Sequence, residues 1–148
     1  MNHRLDNDKE IFFYENEFYC FSNFSAFTLM WKGKLWPTSE QAYQSEKFDD
    51  EKMKENIRTA PSAHEAFKFA LANKDKYIQD WDDKKLGIMK EIIREKIKQH
   101  PYVLKKLKDS GNKQIIEDSW RDAYWGWGSN KDGENHLGKI WMELRSEF

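Results

Sequence analysis

The spacing of apolar and polar positions predicts short strands near the start of the chain. Ile11–Tyr14 and Phe18–Phe21 are aromatic and apolar runs separated by a few polar residues, which suggests two strands or a hairpin. Phe27–Trp31 and Leu35–Trp36 form a second pair around a three-residue turn centred on Gly33. We therefore expect a few short N-terminal β-strands.

From residue 37 onward, helical patterns dominate. Thr38, with Gln41 three residues later, fits a capping box, and the helix that it opens is expected to reach about Phe48. Ser62 and Glu65 form a second capping box. Capping residues and apolar positions at helical spacing predict the following further elements: helices over 49–58, from 62, from 82 for about four turns with Trp81 immediately before it, from 101, and over 134–148, with a short strand over 114–117.

Length and composition narrow the class of protein. The 148 residues suggest one domain, spanning 1–148, with a core large enough to fold alone. Charged residues make up 34% and aromatic residues 16%, so a polar surface is expected around a core built largely from rings. The net charge of −1 gives no bulk attraction to nucleic acid or to an anionic membrane.

Several kinds of site are excluded or disfavoured. The single cysteine, Cys20, excludes an internal disulfide and a cysteine-rich zinc site, and the four histidines lack metal-ligand spacing. The sequence carries no P-loop, Rossmann turn or serine or cysteine triad motif. No apolar run approaches the roughly 20 residues of a membrane span, and the N-terminus is polar, so a cytoplasmic protein is expected.

The segment Asp118–Gly138 concentrates rings and glycines. It contains Trp120, Trp125 and Trp127, and Gly126 and Gly128 lie among them. Glycine lets a backbone turn sharply or pass close to a ligand. Two interpretations stay open: an aromatic mini-core beneath a long loop, or a surface on which a planar base stacks, worth about 1–3 kcal/mol per base.

Three carboxylates stand at element ends beside aromatic residues: Glu40, Glu117 and Asp122. A carboxylate in the first turn of a helix is favoured by the helix dipole, which is a sufficient structural reason for Glu40. Cleavage of an N-glycosidic bond also asks for such groups, because its transition state carries oxocarbenium-like positive charge on the sugar. Composition alone leaves both possibilities open for the carboxylates. Asn23 is explained equally well as an ordinary turn residue, because asparagine tolerates the dihedral angles of turns.

A basic stretch, Lys90–Lys108, holds seven basic and two acidic residues, a local charge of +5. A solvated helix face is the usual meaning of such a stretch. A phosphate- or nucleic-acid-facing patch is the alternative.

Motifs along the whole chain resemble the YbiA-like NADAR family, whose name refers to NAD and ADP-ribose. The matching blocks follow one another in order from about Phe12 to Arg145: Phe21–Phe24, Thr38–Gln44 with Lys47 and Phe48, Trp81, Met89, Ile116 and Glu117, Asp122 with Trp125–Gly128, and Gly133–Gly138 with Met142 and Arg145. The resemblance implies a compact, mainly helical α+β domain. It also implies an N-glycosidase, since one branch of the family splits an aminopyrimidine from ribose 5-phosphate and another reverses ADP-ribosylation of guanine.

The resemblance also assigns roles to residues. Glu40 would be the lead catalytic carboxylate and Asp122 a second acid, while Lys47 would be a charge partner or a ribose or phosphate contact. The remaining substrate-binding residues it implies are Trp81 and Trp125 at the base or sugar, the polar groups Asn23, Asn135 and Arg145, and Glu117, Gly126 and Gly128.

One departure from the family pattern concerns Gln41, where many relatives have histidine. Glutamine does not titrate, so the expected chemistry falls on the carboxylates. The expected protein is a metal- and cofactor-independent hydrolase of a small phosphorylated ribosyl substrate, with no membrane partner. ADP-ribosylated nucleic acid as substrate, and a non-catalytic ADP-ribose- or NAD-binding module, are the alternatives. The sequence does not identify the base of the substrate or the oligomeric state of the protein.

Overall fold

The structure, a computed structural model, describes residues 7–13, 16–119 and 121–148, without the side chains of residues 16–18. Tyr14 and Trp120, both part of the predictions above, lie outside the described residues. The described chain contains these strands and helices: β1 (Glu10–Phe12), β2 (Leu29–Trp31), β3 (Lys34–Trp36), α1 (Ser39–Ser45), α2 (Glu51–Arg58), α3 (Ala63–Ala72), α4 (Trp81–Gln99), α5 (Pro101–Asp109), β4 (Gln114–Ile116) and α6 (His136–Arg145), with 3-10 helices at Asn16–Phe21 and Lys74–Lys76.

The residues group into two compact units. One is Asn23–Gln99, and the other combines the residues up to Ser22 with His100–Phe148. The mainly helical α+β class is confirmed, as are the short N-terminal strands. The expectation of one domain over the whole chain stays a prediction.

The Asn23–Gln99 unit begins with an antiparallel hairpin of β2 and β3, which confirms the second predicted strand pair. Lys32 and Gly33 form its turn with φ values of 51° and 81°. This left-handed backbone matches the twist of a two-residue hairpin. The indole of Trp36 donates to the carbonyl oxygen of Trp31 at 3.0 Å, so the hairpin is also tied by a side chain.

Helix α1 lies against α2, α3 and α4 and is buried along its whole length. Thr38 caps it as predicted, since its hydroxyl accepts from the backbone N–H of Gln41 at 3.1 Å. The helix ends at Ser45, somewhat before the predicted Phe48. Side chains cap two of the neighbouring helices in the same way, Asp50 for α2 and Ser62 for α3.

In the second unit, β1 and β4 form a parallel pair, with Ile11 opposite Ile115. The predicted pairing of the first two aromatic runs is therefore wrong. The second run lies in the 3-10 helix Asn16–Phe21, and β1 instead pairs with a strand about a hundred residues later. Apolar composition alone favours burial of that run, and a 3-10 helix satisfies this as well as a strand does.

Trp141 of α6 occupies the core of this second unit and is 0% exposed. Its ring lies 4.5 Å from that of Phe21, and its indole N–H donates to the Phe21 carbonyl at 3.1 Å. Phe13 meets Phe21 edge-on at 5.9 Å. Aromatic packing and an indole hydrogen bond thus hold the 3-10 helix. The expectation of a core carried by rings more than by aliphatics is nevertheless wrong, because aliphatic side chains outnumber rings among the described buried residues of this unit: Ile11, Val103, Leu107, Ile115, Ile116, Leu137, Ile140 and Leu144 against Phe12, Phe13, Phe21 and Trp141.

Candidate functional site: a buried polar helix and a glycine-rich loop

Helix α1 is unusual because it is both polar and buried. Glu40 is 7% exposed, Gln41 0% and Gln44 2%, and both serines of the helix are buried as well. Burying polar groups costs free energy unless each finds a partner. A polar segment in this position therefore has to be held by specific hydrogen bonds, and such segments are where binding and catalytic groups are kept rigid.

Glu40 is held at its backbone and at its carboxylate. Its N–H donates to the carbonyl oxygen of Asn23 at 3.0 Å. Its Oε1 accepts from the side-chain amide of Gln44, one helical turn later, at 3.0 Å. Gln44 was not predicted as a site residue, although it belongs to the α1 motif.

Asn23 links the start of α1 to α4. Its Oδ1 accepts from the hydroxyl of Ser39 at 2.9 Å, and its Nδ2 lies 3.3 Å from the sulfur of Met89. The structure thus places Asn23 beside Glu40 and shows it fixing the helix start. A role in contacting substrate stays a prediction.

Gln41 joins α1 to the end of α2. Its amide Nε2 lies 3.1 Å from the carbonyl oxygen of Ile57 and within 3.4 Å of those of Arg58 and Ala60. Its Oε1 accepts from the Thr38 hydroxyl at 3.0 Å. Gln41 therefore caps the C-terminal end of α2, a structural role that needs no titration.

Lys47 lies among three rings, and we call Lys47, Tyr43, Tyr77 and Trp81 the Lys47 cluster. The ammonium is 5.3 Å from the ring centroid of Tyr43, 5.0 Å from Tyr77 and 5.9 Å from Trp81. The rings of Tyr43 and Trp81 pack at 5.3 Å. Two predicted site residues, Lys47 and Trp81, are thus brought together, each ring attracting the cation.

Tyr77 is a member of this cluster that sequence reasoning missed. Its hydroxyl lies 3.5 Å from the Lys47 ammonium, and its ring meets Phe48 edge-on at 5.3 Å. Partial burial raises the pKa of the Tyr77 phenol. A lone tyrosine in a connecting segment carries no sequence signal, so only the fold could reveal it.

Tyr77 also lines a surface cleft of about 790 Å³. It is lined by Asp49, Asp50, Met53, Lys76, Tyr77, Ile78, Gln79, Asp80 and Lys84. Asp50 caps α2, and Asp80 pairs with Lys84 at 3.0 Å, which lowers the pKa of that carboxyl through the hydrogen bond. These two acids of the cleft therefore already have structural partners.

In the other unit, Asp122 organises the glycine-rich loop. Its Oδ1 accepts from the backbone N–H groups of Tyr124 at 2.9 Å and Trp125 at 2.8 Å, an Asx-type turn. The rings of Tyr124 and Trp125 then meet edge-on at 4.8 Å. The predicted second acid thus has a structural role, and any catalytic role has to coexist with it.

The glycines of this loop approach the protein's own backbone. A Cβ on Gly126 would lie 2.8 Å from the Glu117 carbonyl oxygen and 3.0 Å from that of Asp122. Gly128 has φ of 73°, which disfavours a side chain. Close packing therefore accounts for both glycines, and the predicted substrate contact at each of them stays untested.

The mini-core interpretation of the tryptophans finds support at Trp127, and the base-stacking interpretation stays a prediction. The indole of Trp127 donates to Asp118 at 2.8 Å, and its ring lies 4.8 Å from that of Phe12, which is mini-core packing. Trp125 packs on Tyr124 and lies 6.5 Å from the ring of His136, and it remains the candidate for contacting a base.

Asn135 fastens the end of the loop to β4. With φ of 51° it precedes α6, and its side chain accepts from Glu117 N–H at 2.9 Å while donating to the Ile115 carbonyl at 2.9 Å. Glu117, in turn, accepts at its carbonyl from Trp127 N–H at 3.2 Å. The structure therefore brings Glu117, Asp122, Trp125 and Asn135 into one hydrogen-bonded loop.

Arg145 makes hydrogen bonds that hold a backbone turn. Its guanidinium donates to the Ser110 hydroxyl and to the Lys113 carbonyl, each at 2.9 Å, which closes the turn between α5 and β4. Burial lowers the pKa of Arg145 from its ordinary value. The contacts give this predicted pocket residue a structural role, and its assignment to the substrate stays a prediction.

The basic stretch is largely engaged within its own helices. Lys98 pairs with Glu95 at 3.5 Å, and Arg94 pairs with Glu91. Lys96 is buried and donates to the Ser25 hydroxyl at 3.2 Å. The two acids in these ion pairs are already counted in the local charge of +5, so the solvated face and the nucleic-acid patch both stay predictions.

The described residues contain neither a metal-binding cluster nor a membrane-spanning helix. Residues 7–13, 16–119 and 121–148 contain no group of three histidine, cysteine or acidic side chains arranged to hold a metal ion. Within the same ranges, every helix is too short or too polar to cross a bilayer.

Comparison with known proteins identifies the family. The model of the NADAR domain matches residues 12–148. This chain belongs to the NADAR family. N-glycosidase YbiA of Shigella boydii is 37% identical over 128 residues, covering 86% of this chain and 80% of that protein. N-glycosidase Npun_R5314 of Nostoc punctiforme is 34% identical and covers 93% of this chain and 92% of its own length.

A third relative and a solved structure extend this result. Riboflavin biosynthesis protein VVA0006 of Vibrio vulnificus is 35% identical, and the match spans 95% of this chain but only 39% of that protein. The NMR structure of Escherichia coli YbiA has a TM-score of 0.86 and 35% identity, covering 97% of this chain and 86% of that one. The NADAR chain described here therefore shares the YbiA fold, and its named relatives support an N-glycosidase role.

Proposed function

We propose that this NADAR protein hydrolyses the bond between ribose 5-phosphate and the base of a ribosylamino-pyrimidine phosphate, with Glu40 as the lead catalytic carboxylate. The observation that carries the proposal is the fixed, buried carboxylate of Glu40. It has a hydrogen bond at its backbone and another at Oε1, in a helix whose polar residues are all enclosed. The relatives named N-glycosidase and riboflavin biosynthesis protein support the reaction and the substrate class.

The reaction needs negative charge beside the sugar. As the C–N bond breaks, its electron pair goes to the base nitrogen, and positive charge develops at the anomeric carbon. Water supplies both missing groups, since its hydroxide bonds to the anomeric carbon and the proton that it releases ends on the base nitrogen. A buried carboxylate stabilises that charge more strongly than an exposed one, because little water screens it. Glu40 would also accept a proton from the water whose oxygen bonds to the anomeric carbon. Asp122 is proposed as the second acid.

Binding would come from cationic and aromatic groups. Lys47, held among three rings, suits the 5′-phosphate as a point charge. Trp81 and Trp125 offer flat surfaces for the sugar or the base, and their large rings also exclude water. Asn23, Glu117, Gly126, Gly128, Asn135 and Arg145 are proposed as supporting or substrate-binding positions.

The test replaces Glu40 with Gln, which keeps size and removes charge. Turnover of a ribosylamino-pyrimidine phosphate, followed as released ribose 5-phosphate, is expected to fall at least a hundredfold, the usual minimum contribution of a general base. Glu46 is the matched control, because it is a buried carboxylate of the same segment that pairs with Lys32 at 2.7 Å. Full activity in Glu40→Gln, or an equal loss in Glu46→Gln, contradicts the assignment.

Two other functions are outcomes of the same experiment. ADP-ribosylated guanine supplied in parallel would release free ADP-ribose if the protein acts on ADP-ribosylated nucleic acid. A non-catalytic binding module would retain ADP-ribose in Glu40→Gln and lose it in Trp125→Ala, without turnover in any variant.

A further inference from the structure

Tyr77 restrains the ammonium of Lys47 through two contacts. A lysine side chain carries about 2 kcal/mol of rotamer entropy, so an unrestrained ammonium loses much of its value as a ligand contact. In this protein the ammonium lies 5.0 Å from the ring centroid of Tyr77 and 3.5 Å from its hydroxyl oxygen. The same phenol therefore meets the cation with both its ring and its oxygen.

Tyr77 is itself anchored in two ways. The N–H of Ile78, the next residue, donates to the carbonyl oxygen of Lys47 at 2.8 Å, which ties the two backbones together. The ring of Tyr77 packs edge-on against Phe48 at 5.3 Å and an interplanar angle of 82°. Because both its backbone and its ring are fixed relative to the end of α1, the hydroxyl has a defined position from which to hold the ammonium.

The phenol also has the right protonation state for this task. Partial burial raises the pKa of Tyr77 above its ordinary value, so the hydroxyl is neutral throughout the physiological range. A neutral phenol oxygen accepts from the lysine ammonium without cancelling its charge. A carboxylate in the same place would neutralise Lys47 and oppose the approach of an anion.

We propose that Tyr77 is a positioning residue, which holds the Lys47 ammonium in place to receive the phosphate of the ligand. The proposal rests on the proposed function, because it takes Lys47 as the contact for a ribose 5-phosphate group. It predicts that the hydroxyl of Tyr77 contributes to phosphate binding only through Lys47.

The experiment uses ribose 5-phosphate as the probe, measured by calorimetric titration, and compares the wild type with Tyr77→Phe. Phenylalanine keeps the ring contacts with Lys47 and Phe48 and removes only the oxygen. The ammonium–phenol contact is long, at 3.5 Å, so we assign it the value of an ordinary hydrogen bond, and Kd for ribose 5-phosphate is expected to rise roughly threefold to tenfold. With the phosphorylated substrate, KM should rise similarly while kcat stays within about twofold.

Tyr102→Phe is the matched control. Tyr102 is 52% exposed, and the ammonium of Lys106 lies 5.8 Å from its ring centroid, so this change also removes a hydroxyl from a tyrosine beside a lysine. Neither binding nor melting temperature should change in this variant. A drop in both kcat and melting temperature in Tyr77→Phe would indicate a merely structural role and overturn the proposal.

A double-mutant cycle with Lys47→Met provides the decisive comparison. If Tyr77 acts through Lys47, Tyr77→Phe has no further effect on Kd in the Lys47→Met background. An undiminished effect there, or an unchanged Kd in Tyr77→Phe alone, refutes this inference and leaves the proposed function standing. Failure of ribose 5-phosphate to bind the wild-type protein refutes the proposed substrate class and this inference together.

Discussion

Asp122 allows a structural role to be separated from a catalytic one by two substitutions. Its Oδ1 accepts from the N–H groups of Tyr124 and Trp125 at 2.9 and 2.8 Å. Asn offers a carbonyl oxygen at the same place and can keep both hydrogen bonds, whereas Ala offers none. The pair Asp122→Asn and Asp122→Ala therefore distinguishes loss of charge from loss of the turn.

The magnitude follows from the kind of contact. Replacing a capping acceptor of backbone N–H groups by Ala costs about 0.5–2 kcal/mol, and two contacts on a half-buried side chain place Asp122→Ala in the upper half of that range. For a chain of this size, roughly 2–4 °C in melting temperature corresponds to each kcal/mol. Asp122→Ala is thus expected to melt about 2–8 °C lower, and Asp122→Asn within about 1–2 °C of the wild type.

Calorimetric melting and turnover of the two variants are measured side by side. If Asp122 is the second acid, Asp122→Asn loses turnover at least about a hundredfold while keeping its melting temperature. Equal destabilisation by Asn and Ala would refute the account of the turn. Wild-type turnover in a stable Asp122→Asn would remove Asp122 from the chemistry.

Three further substitutions test the packing at two helix glycines and the hydrogen bond between Gln44 and Glu40. Gly138→Ala would place a Cβ 2.0 Å from the Ile115 carbonyl oxygen, so we expect a loss of about 3 kcal/mol or more in urea unfolding. Gly87→Ala, in α4 with no atom within 4 Å of the new Cβ, should instead gain up to about 1 kcal/mol, and a loss equal to that of Gly138→Ala would contradict the packing argument. Gln44→Met removes the donor to Glu40 and should lower kcat at least about tenfold with KM nearly unchanged; an unchanged kcat would show that the 3.0 Å contact does not support catalysis.

Local signals predicted local structure well. Thr38 and Ser62 cap α1 and α3 as expected, and the β2–β3 turn lies at Lys32 and Gly33. These features depend on hydrogen bonds and dihedral angles within a few residues, which a short sequence window contains. The parallel pairing of β1 with β4 was not predicted, because the sequence of a three-residue strand does not identify a partner about a hundred residues away.

In the candidate site, too, the sequence predicted some features and the structure alone revealed others. The motifs directed attention to Glu40, Lys47 and Trp81, and the structure places Lys47 and Trp81 in one cluster. It also gives several motif residues packing roles that residue type alone could not reveal. Gln41 caps α2, and Arg145 closes the turn between α5 and β4.

By itself, the sequence determined where the capped helices α1 and α3 begin and which motifs mark the NADAR family, because caps and residue order are properties of the chain alone. Only the tertiary structure decided that a polar helix would be buried and that Tyr77 would meet Lys47. Burial of α1 depends on three other helices surrounding it. The Tyr77 contact depends on a backbone hydrogen bond across some thirty residues, and no local pattern encodes a partner at that distance.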